Sequence, residues 1–257
     1  MIERNRVIFM SRLLCGTLAA ALLTPCMVQA QEPDAMRLSF NQTPPQYKAY
    51  AAALGQRLRQ SGRERITATG HLTYAEALDK PLPVGIVWQY PLKVMLTNGE
   101  SSQAFDLASA SVKTPADRLL AGTVEALLED SVEGLLALLP TASMTRHLGS
   151  GYTLPDARGK GRGIDIVQAT FATALHNGQP AAKTYWFDSA TGLLGLVEYE
   201  SASGDSVDVV VDDWKEVDGE KIPFLIERWE NGKLVMRLTL LSAAVTAGIA
   251  DGTFGGN

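Results

Sequence analysis

The chain has 257 residues, with 23 Lys and Arg against 28 Asp and Glu and a formal charge of −5. That balance lacks the basic excess needed to hold a phosphate backbone, so nucleic acid is excluded as a partner. Hydrophobic residues make up 46% of the chain, enough for one buried core, and no repeat or low-complexity linker divides it.

Residues 1–30, MIERNRVIFMSRLLCGTLAAALLTPCMVQA, predict a signal peptide. Arg4, Arg6 and Arg12 precede and flank an apolar run over 13–23, and Val28-Gln29-Ala30 forms a small-residue cleavage site. The run is shorter than the roughly 20 residues that cross a bilayer, and Pro25 follows it, so stable membrane insertion is not expected. Cleavage removes Cys15 and Cys26, the only cysteines, and with them any disulfide or thiol chemistry. It also removes three Arg and one Glu, which takes the charge from −5 to −7 and the length from 257 to 227. Acylation of Cys26 is the alternative, with Pro25 a poor neighbour for that processing.

Residues 31–62 read as a lead-in and an N-terminal helix, with Tyr47, Tyr50, Leu54 and Leu58 at helical spacing. Strands come next: ITATGHLTY at 66–74, two in VGIVWQYPLKVMLTNG at 84–99 broken by Pro91, and a short one in QAFDLA. The pattern then changes at TPADRLLAGTVEALLEDSVEGLLALLP, residues 114–140. Thr114 is a good cap, Pro115 suits the first helical position and Asp117 lies three after the cap; Asp130 with Glu133 repeats the signal. Two consecutive helices over 115–139, bent near 129–131, are therefore expected. Their leucines are too numerous for an outer surface, and six charges exclude a membrane hairpin. They are the natural cover for a sheet.

GSGYTLPDARGKGRG at 149–163 invites a phosphate-loop reading. Leu154 stands where that motif has its first glycine, and Gly161 follows Lys160 in place of Ser or Thr, so a surface loop is expected instead. The remainder is strand: GIDIVQATFATALHNG, a hairpin in TYWFDSATGLLGLVEY turning at 189–192, SVDVVVDDW, and the run to 240 with turns at Asp218-Gly219 and Asn231-Gly232. A two-residue turn at Asp218-Gly219 sets Val211 against Ile226. A count across 201–205 sets Val197 against Val209 and Tyr199 against Val207. One apolar face results: Val197, Tyr199, Val207, Val209, Val211, Ile222, Phe224 and Ile226. A one-residue bulge after Asn231-Gly232 adds Met236 and Leu238 and keeps Arg237 off that face. Trp214 and Trp229 fall on the other face, whose cover is expected from loops or the N-terminal helix; the hairpin count leaves Trp186 unplaced.

No constellation for catalysis is found. His71, His147 and His176 lack zinc spacing, no nucleophile elbow occurs, and Asp205, Asp208, Asp212 and Asp213 are expected to be a solvated edge. No catalytic or metal-binding residues and no cofactor are assigned.

The series FDSATGLL, VDDWKEVDGEKIPF and a helical pair followed by LGSGY resembles the LolA/LolB-like lipoprotein-carrier superfamily of the bacterial envelope, over roughly residues 65–241, and in particular its divergent members. The resemblance implies an α+β fold: a strongly curved antiparallel sheet, an unclosed β-barrel, with helices packed against its concave face and apolar ligands between them. It implies one domain over 31–257, with the half-barrel and helical lid at 63–245 and a Gly-rich tail at 246–257. The expected function is a soluble periplasmic carrier of a lipid, acyl chain or lipoprotein anchor, acting as a monomer. The expected ligand-binding residues are Val197, Val209, Val211, Phe224, Ile226, Met236 and Leu238 on the sheet and Leu120, Val124 and Leu127 on the helices. The alternative is a non-enzymatic interaction module with an envelope protein as partner; a hydrolase ranks below both.

Overall fold

The computed structural model describes residues 64–77, 79–89, 93–99, 101–106, 118–131, 134–135, 142–155, 161–171, 181–201 and 203–247. The expected signal peptide, N-terminal helix and most of the Gly-rich tail lie outside them. Four strands come first: β1 (Glu64–Tyr74), β2 (Leu82–Gln89), β3 (Lys93–Asn98) and β4 (Ser101–Asp106). Helix α1 (Arg118–Leu128) is next. Seven strands complete the order: β5 (Ala142–Pro155), β6 (Gly161–Phe171), β7 (Ala181–Asp188), β8 (Leu194–Glu200), β9 (Ser206–Val217), β10 (Glu220–Glu230) and β11 (Lys233–Ala247).

All eleven strands join one sheet in the order β4-β3-β2-β1-β11-β10-β9-β8-β7-β6-β5. Every described pairing is antiparallel. The chain thus builds two meanders, β1 to β4 and β5 to β11, which join where β11 returns to β1. The segment between them carries α1 from one edge strand to the other. The sheet does not close, because β4 and β5 lie at opposite ends of its order.

The helix shows that the sheet is curved. It packs on β3, β10 and β11, and the turn after it reaches Lys183 of β7. Seven strand spacings separate β3 from β7 in the sheet order, roughly 34 Å if flat. Eleven helical residues span only roughly 16 Å. The sheet must wrap around the helix, and the face that meets α1 is its inner face.

Turn chemistry fixes the register. Asp218 and Gly219 both have positive φ, as do Asn231 and Gly232, the conformation of two-residue hairpin turns whose twist matches the strands. Val217 then lies opposite Glu220, and Val211 opposite Ile226. Val197 faces Val209 and Tyr199 faces Val207. After Asn231-Gly232 the register shifts between Arg228 and Trp229, so that Met236 faces Arg228 and Leu238 faces Ile226. The expected bulge is present, and Arg237 points to the outer face, where its guanidinium binds Glu227.

Two expectations of secondary structure need correction. The supposed surface loop at 149–163 is largely strand: 149–155 completes β5, and 161–163 begins β6. Its glycines accompany register shifts of β5 on β6 between His147 and Tyr152, which lets irregular backbone stay paired. The helix does end near the expected bend, but Asp130 does not cap the turn beyond it. Ser131 does so, its Oγ accepting from the Gly134 amide at 2.9 Å and donating to the Leu128 carbonyl at 2.7 Å. Of the second helix, only 134–135 are described.

Asp213 is a left-handed residue inside β9, with φ 53°, between the pairs Trp214–Pro223 and Asp212–Leu225. Its amide donates to its neighbour's carboxylate, Asp212 Oδ1, at 2.8 Å, the kind of local bond that lets Asp tolerate this region. A β-branched side chain has no such compensation. Asp213→Val should lower the unfolding free energy by about 1–2 kcal/mol while Asp213→Gly stays near wild type, as read by urea denaturation.

Candidate functional site

The inner face is built by alternation. Val197 of β8, Val209 and Val211 of β9, Phe224 and Ile226 of β10, and Met236 and Leu238 of β11 are all buried and belong to one hydrophobic cluster. From α1, Val124 and Leu127 are buried in the same cluster, and Leu120 packs against it half-buried. All ten residues expected to line a ligand site therefore belong to, or pack against, one hydrophobic cluster.

The expected face is not apolar throughout. Continuing the inner parity of β10 one step past Ile226 brings in Arg228, and the parity of β7 brings in Lys183 beside Tyr185 and Phe187; Lys183 and Arg228 are both buried. Lys183 pairs across the sheet with Tyr199, and Arg228 lies between Val209 and Met236. A polar corner thus borders the apolar face directly.

The end of α1 fills that corner with carboxylates. Lys183 Nζ donates to Asp130 Oδ1 at 2.6 Å, Glu129 Oε2 at 3.4 Å and Glu125 Oε1 at 3.5 Å. Arg228 Nη1 donates to Glu125 Oε2 at 3.0 Å and to the Tyr199 hydroxyl at 2.8 Å, and its Nε donates to Glu230 Oε1 at 3.1 Å. Tyr199 in turn donates to Asp130 Oδ2 at 3.1 Å, and Lys183 lies 4.4 Å from the centroid of its ring. Negative charge is unfavourable at a helix C-terminus. Three carboxylates accumulate there because two cations wait on the sheet. Gly122 makes the fit possible: a Cβ on it would lie 3.2 Å from Arg228 Nε and 3.3 Å from its Cδ.

These surroundings move protons. Burial raises the Asp130 carboxyl from 3.8 to about 6, with Glu125 adding to the rise and Lys183 and Arg228 opposing it. Burial would lower the Lys183 ammonium, but Asp130, Tyr199, Glu125 and Glu129 together hold it well above its usual range. Burial, then Asp130, pushes the Tyr199 hydroxyl well up. The folded protein therefore binds a proton at Asp130 that the unfolded chain releases between pH about 6 and 3.8. The resulting stabilisation is full below 3.8 and is lost as pH rises through about 6. Asp130→Asn should flatten the pH dependence of urea stability across this window by on the order of 3 kcal/mol. An unchanged profile would place the titration elsewhere.

On the outer face Trp186 lies opposite Ile166 and Leu196. Trp214 donates to the Leu194 carbonyl at 3.0 Å and Trp229 to Glu227 at 3.1 Å. All three indoles are half-buried. Among the described residues no group of His, Cys, Asp and Glu is placed to hold a metal ion, and no helix is long and apolar enough to cross a membrane.

No protein-family model and no curated protein matches the sequence. Solved structures do match the fold. A domain assigned as an outer membrane lipoprotein-sorting protein, from Vibrio parahaemolyticus, aligns with TM-score 0.51 at 10% identity, over 81% of this chain and 97% of its own. A LolA superfamily protein from Nitrosomonas europaea aligns with TM-score 0.51 at 9% identity, over 82% of this chain and 97% of its own. The fold is LolA-like. At such identities the likeness shows the fold alone and leaves chemistry to the residues themselves.

Sequence reasoning found the apolar part of the site and missed its polar corner. The signal was present: Lys183 and Arg228 share the parity of apolar strand residues, and Glu125, Glu129 and Asp130 stand on a helix otherwise too apolar for the surface.

Proposed function

We propose that this protein is a soluble periplasmic carrier or binding protein for an apolar ligand such as a lipid, an acyl chain or a lipoprotein anchor. One observation carries this reading: the inner face of a LolA-like sheet presents a broad apolar surface beneath the short helix α1, which is fastened to it by polar bonds. A helix held this way can leave as a unit and expose the surface, since its polar groups regain water as the face opens. The ligand-contacting set is the ten residues of sheet and helix named above. The likeness to a lipoprotein-sorting domain favours a lipid-bearing ligand. On this reading the signal peptide at 1–30 directs the mature chain to the periplasm, where it acts as a monomer with no enzymatic role.

The second reading is an interaction module of an envelope assembly. It is favoured by the filling of the inner face, where Val197 and Val209 have no exposed surface at all. Organic extraction of the protein purified from the periplasm, followed by mass spectrometry, separates the two. Stoichiometric acyl lipid is expected. An extract without lipid, together with a stably co-purifying envelope protein, would select the module.

A further inference from the structure

Trp88 closes the run of inward side chains on β2, after Val84 and Ile86, and is only 3% exposed. Its indole N–H has no hydrogen-bond partner. Ile66 lies across from it on β1 and Val94 on β3, with Phe105 beyond Val94; all are buried in the same hydrophobic cluster, and none of these side chains carries an atom that could accept. The other indoles are placed differently. Trp214 and Trp229 donate to the Leu194 carbonyl and to Glu227, and Trp186 has the Glu198 carboxylate beside it. Buried donors are satisfied in the great majority of cases, and leaving one unmade costs stability. Phenylalanine would fill an apolar position without that cost. A buried water does not resolve the matter, because it needs about three hydrogen bonds and the indole offers it one.

We propose that Trp88 is a carbonyl-binding residue of the inner face, whose N–H is completed by the neutral acyl carbonyl of an apolar ligand. The inference rests on the carrier reading above, in which α1 leaves the face, and it narrows the ligand to an acyl ester or tertiary amide. Helix α1 packs on β3, the strand beside β2, so its departure opens this end of the face. The class of ligand follows from counting donors and acceptors. An indole N–H can only donate, so its partner must accept. A hydroxyl would accept but also bring a hydrogen of its own, which Ile66, Val94 and Phe105 cannot take up. A carboxylate would bring a charge, whose burial among such groups costs far more. An ester or tertiary amide carbonyl accepts and donates nothing. The N–H is already out of water and unbonded before the ligand arrives, so its desolvation is complete and the new bond counts nearly in full toward binding. No covalent step is involved.

The test uses the delipidated mature chain and three probes kept below their solubility limits: methyl decanoate, N,N-dimethyldecanamide and decyl methyl ether. The ether differs from the ester only in having a methylene in place of the carbonyl. By isothermal titration the wild type should bind the ester several-fold to about tenfold more tightly than the ether, the range of one neutral hydrogen bond. The amide arm names the linkage, since whichever carbonyl compound binds more tightly is the better image of the ligand. Trp88→Phe should bind ester and ether alike. Isotope labelling of the four tryptophans at the indole nitrogen gives a second readout by NMR. The Trp88 signal is the one lost in Trp88→Phe or, should that variant not fold, the one that remains as the outer-face indoles are replaced in turn. It should move downfield when the ester is added, while those of Trp214 and Trp229, already bonded on the outer face, stay in place. Equal affinity for ester and ether in the wild type overturns the carbonyl contact while leaving the carrier reading intact, and needs no variant to fold. A Trp88 signal that stays in place as the ester binds also overturns it, as does an ester preference that survives in Trp88→Phe. Failure of every probe to bind, the ether included, removes the carrier reading itself.

Discussion

Lys183→Met should lower the unfolding free energy by about 3–5 kcal/mol, because it removes the cation that Asp130, Glu129 and Glu125 share and leaves the fully buried Asp130 carboxylate without its 2.6 Å partner. Lost packing contributes little: Met is close in volume and adds no polar group. The penalty is that of stranded charge, so deleting the nearest charge should reverse most of it. Lys183→Met/Asp130→Leu replaces a 2.6 Å buried pair by apolar groups, and such replacements are commonly neutral or stabilising by about 1–4 kcal/mol. The double variant should therefore be more stable than the single one by several kcal/mol, a coupling that two independent surface sites would not show. Urea denaturation at pH 7 reads both quantities. The slope adds a second criterion: if α1 detaches in the single variant before the sheet unfolds, the urea dependence becomes shallower or splits into two transitions. A loss within about 0.5 kcal/mol, the scale of an exposed pair, would mean that the corner is hydrated and that the helix is not fastened there.

The strength of this corner explains which parts of the molecule were legible in sequence. Strand register was readable because side chains alternate with a period of two and the turns announce themselves: Asp218-Gly219 and Asn231-Gly232 fix Val211 against Ile226 and Leu238 against Ile226. The bulge was readable by exclusion, since the other register would have buried Arg237. The same reasoning misled where it treated every inward charge as an error. Arg228 is inward and buried, and one of the carboxylates that answers it, Glu125, comes from a helix 103 residues earlier in the chain, with no local pattern to link the two. Asp130 illustrates the converse. Its position before Glu133 imitates a helix cap, yet Ser131 serves as the cap and Asp130 turns into the core. Local hydrogen-bond signals cannot show that a distant lysine will outcompete a backbone amide. The strand at 149–155 was hidden for a different reason. Glycines that usually mark loops here accompany irregular pairing at the edge of the sheet, and a bulged edge strand has the composition of a loop.

Phe224→Ala should be the most costly truncation on the inner face and the most informative about its purpose. The ring belongs to the core cluster, lies between Ile222 and Ile226 along β10, and retains only 6% exposure. Lys215 Nζ stands 4.0 Å from its centroid, but that contact is worth only about 0.5–1 kcal/mol at an exposed lysine. Removing the ring from a packed environment should cost about 3–5 kcal/mol. The packing term therefore decides, and Lys215→Met should move stability far less than Phe224→Ala. For a chain of this length the loss corresponds to a melting temperature lower by about 6–20 °C. A ligand that binds the folded state and not the unfolded one adds about 2.7 kcal/mol at a hundred times its dissociation constant, or about 5–10 °C. Dodecanoate should thus raise the melting temperature of the wild type. In Phe224→Ala the vacated space gives the chain more room, so the increment should be at least as large. A small loss on truncation would place Phe224 outside the packed core. A full loss with no response to amphiphile in either protein would show that the inner face is permanently filled. The apolar surface would then serve stability alone, and the partner would have to be sought on the outer face, where Trp186, Trp214 and Trp229 stand half-buried.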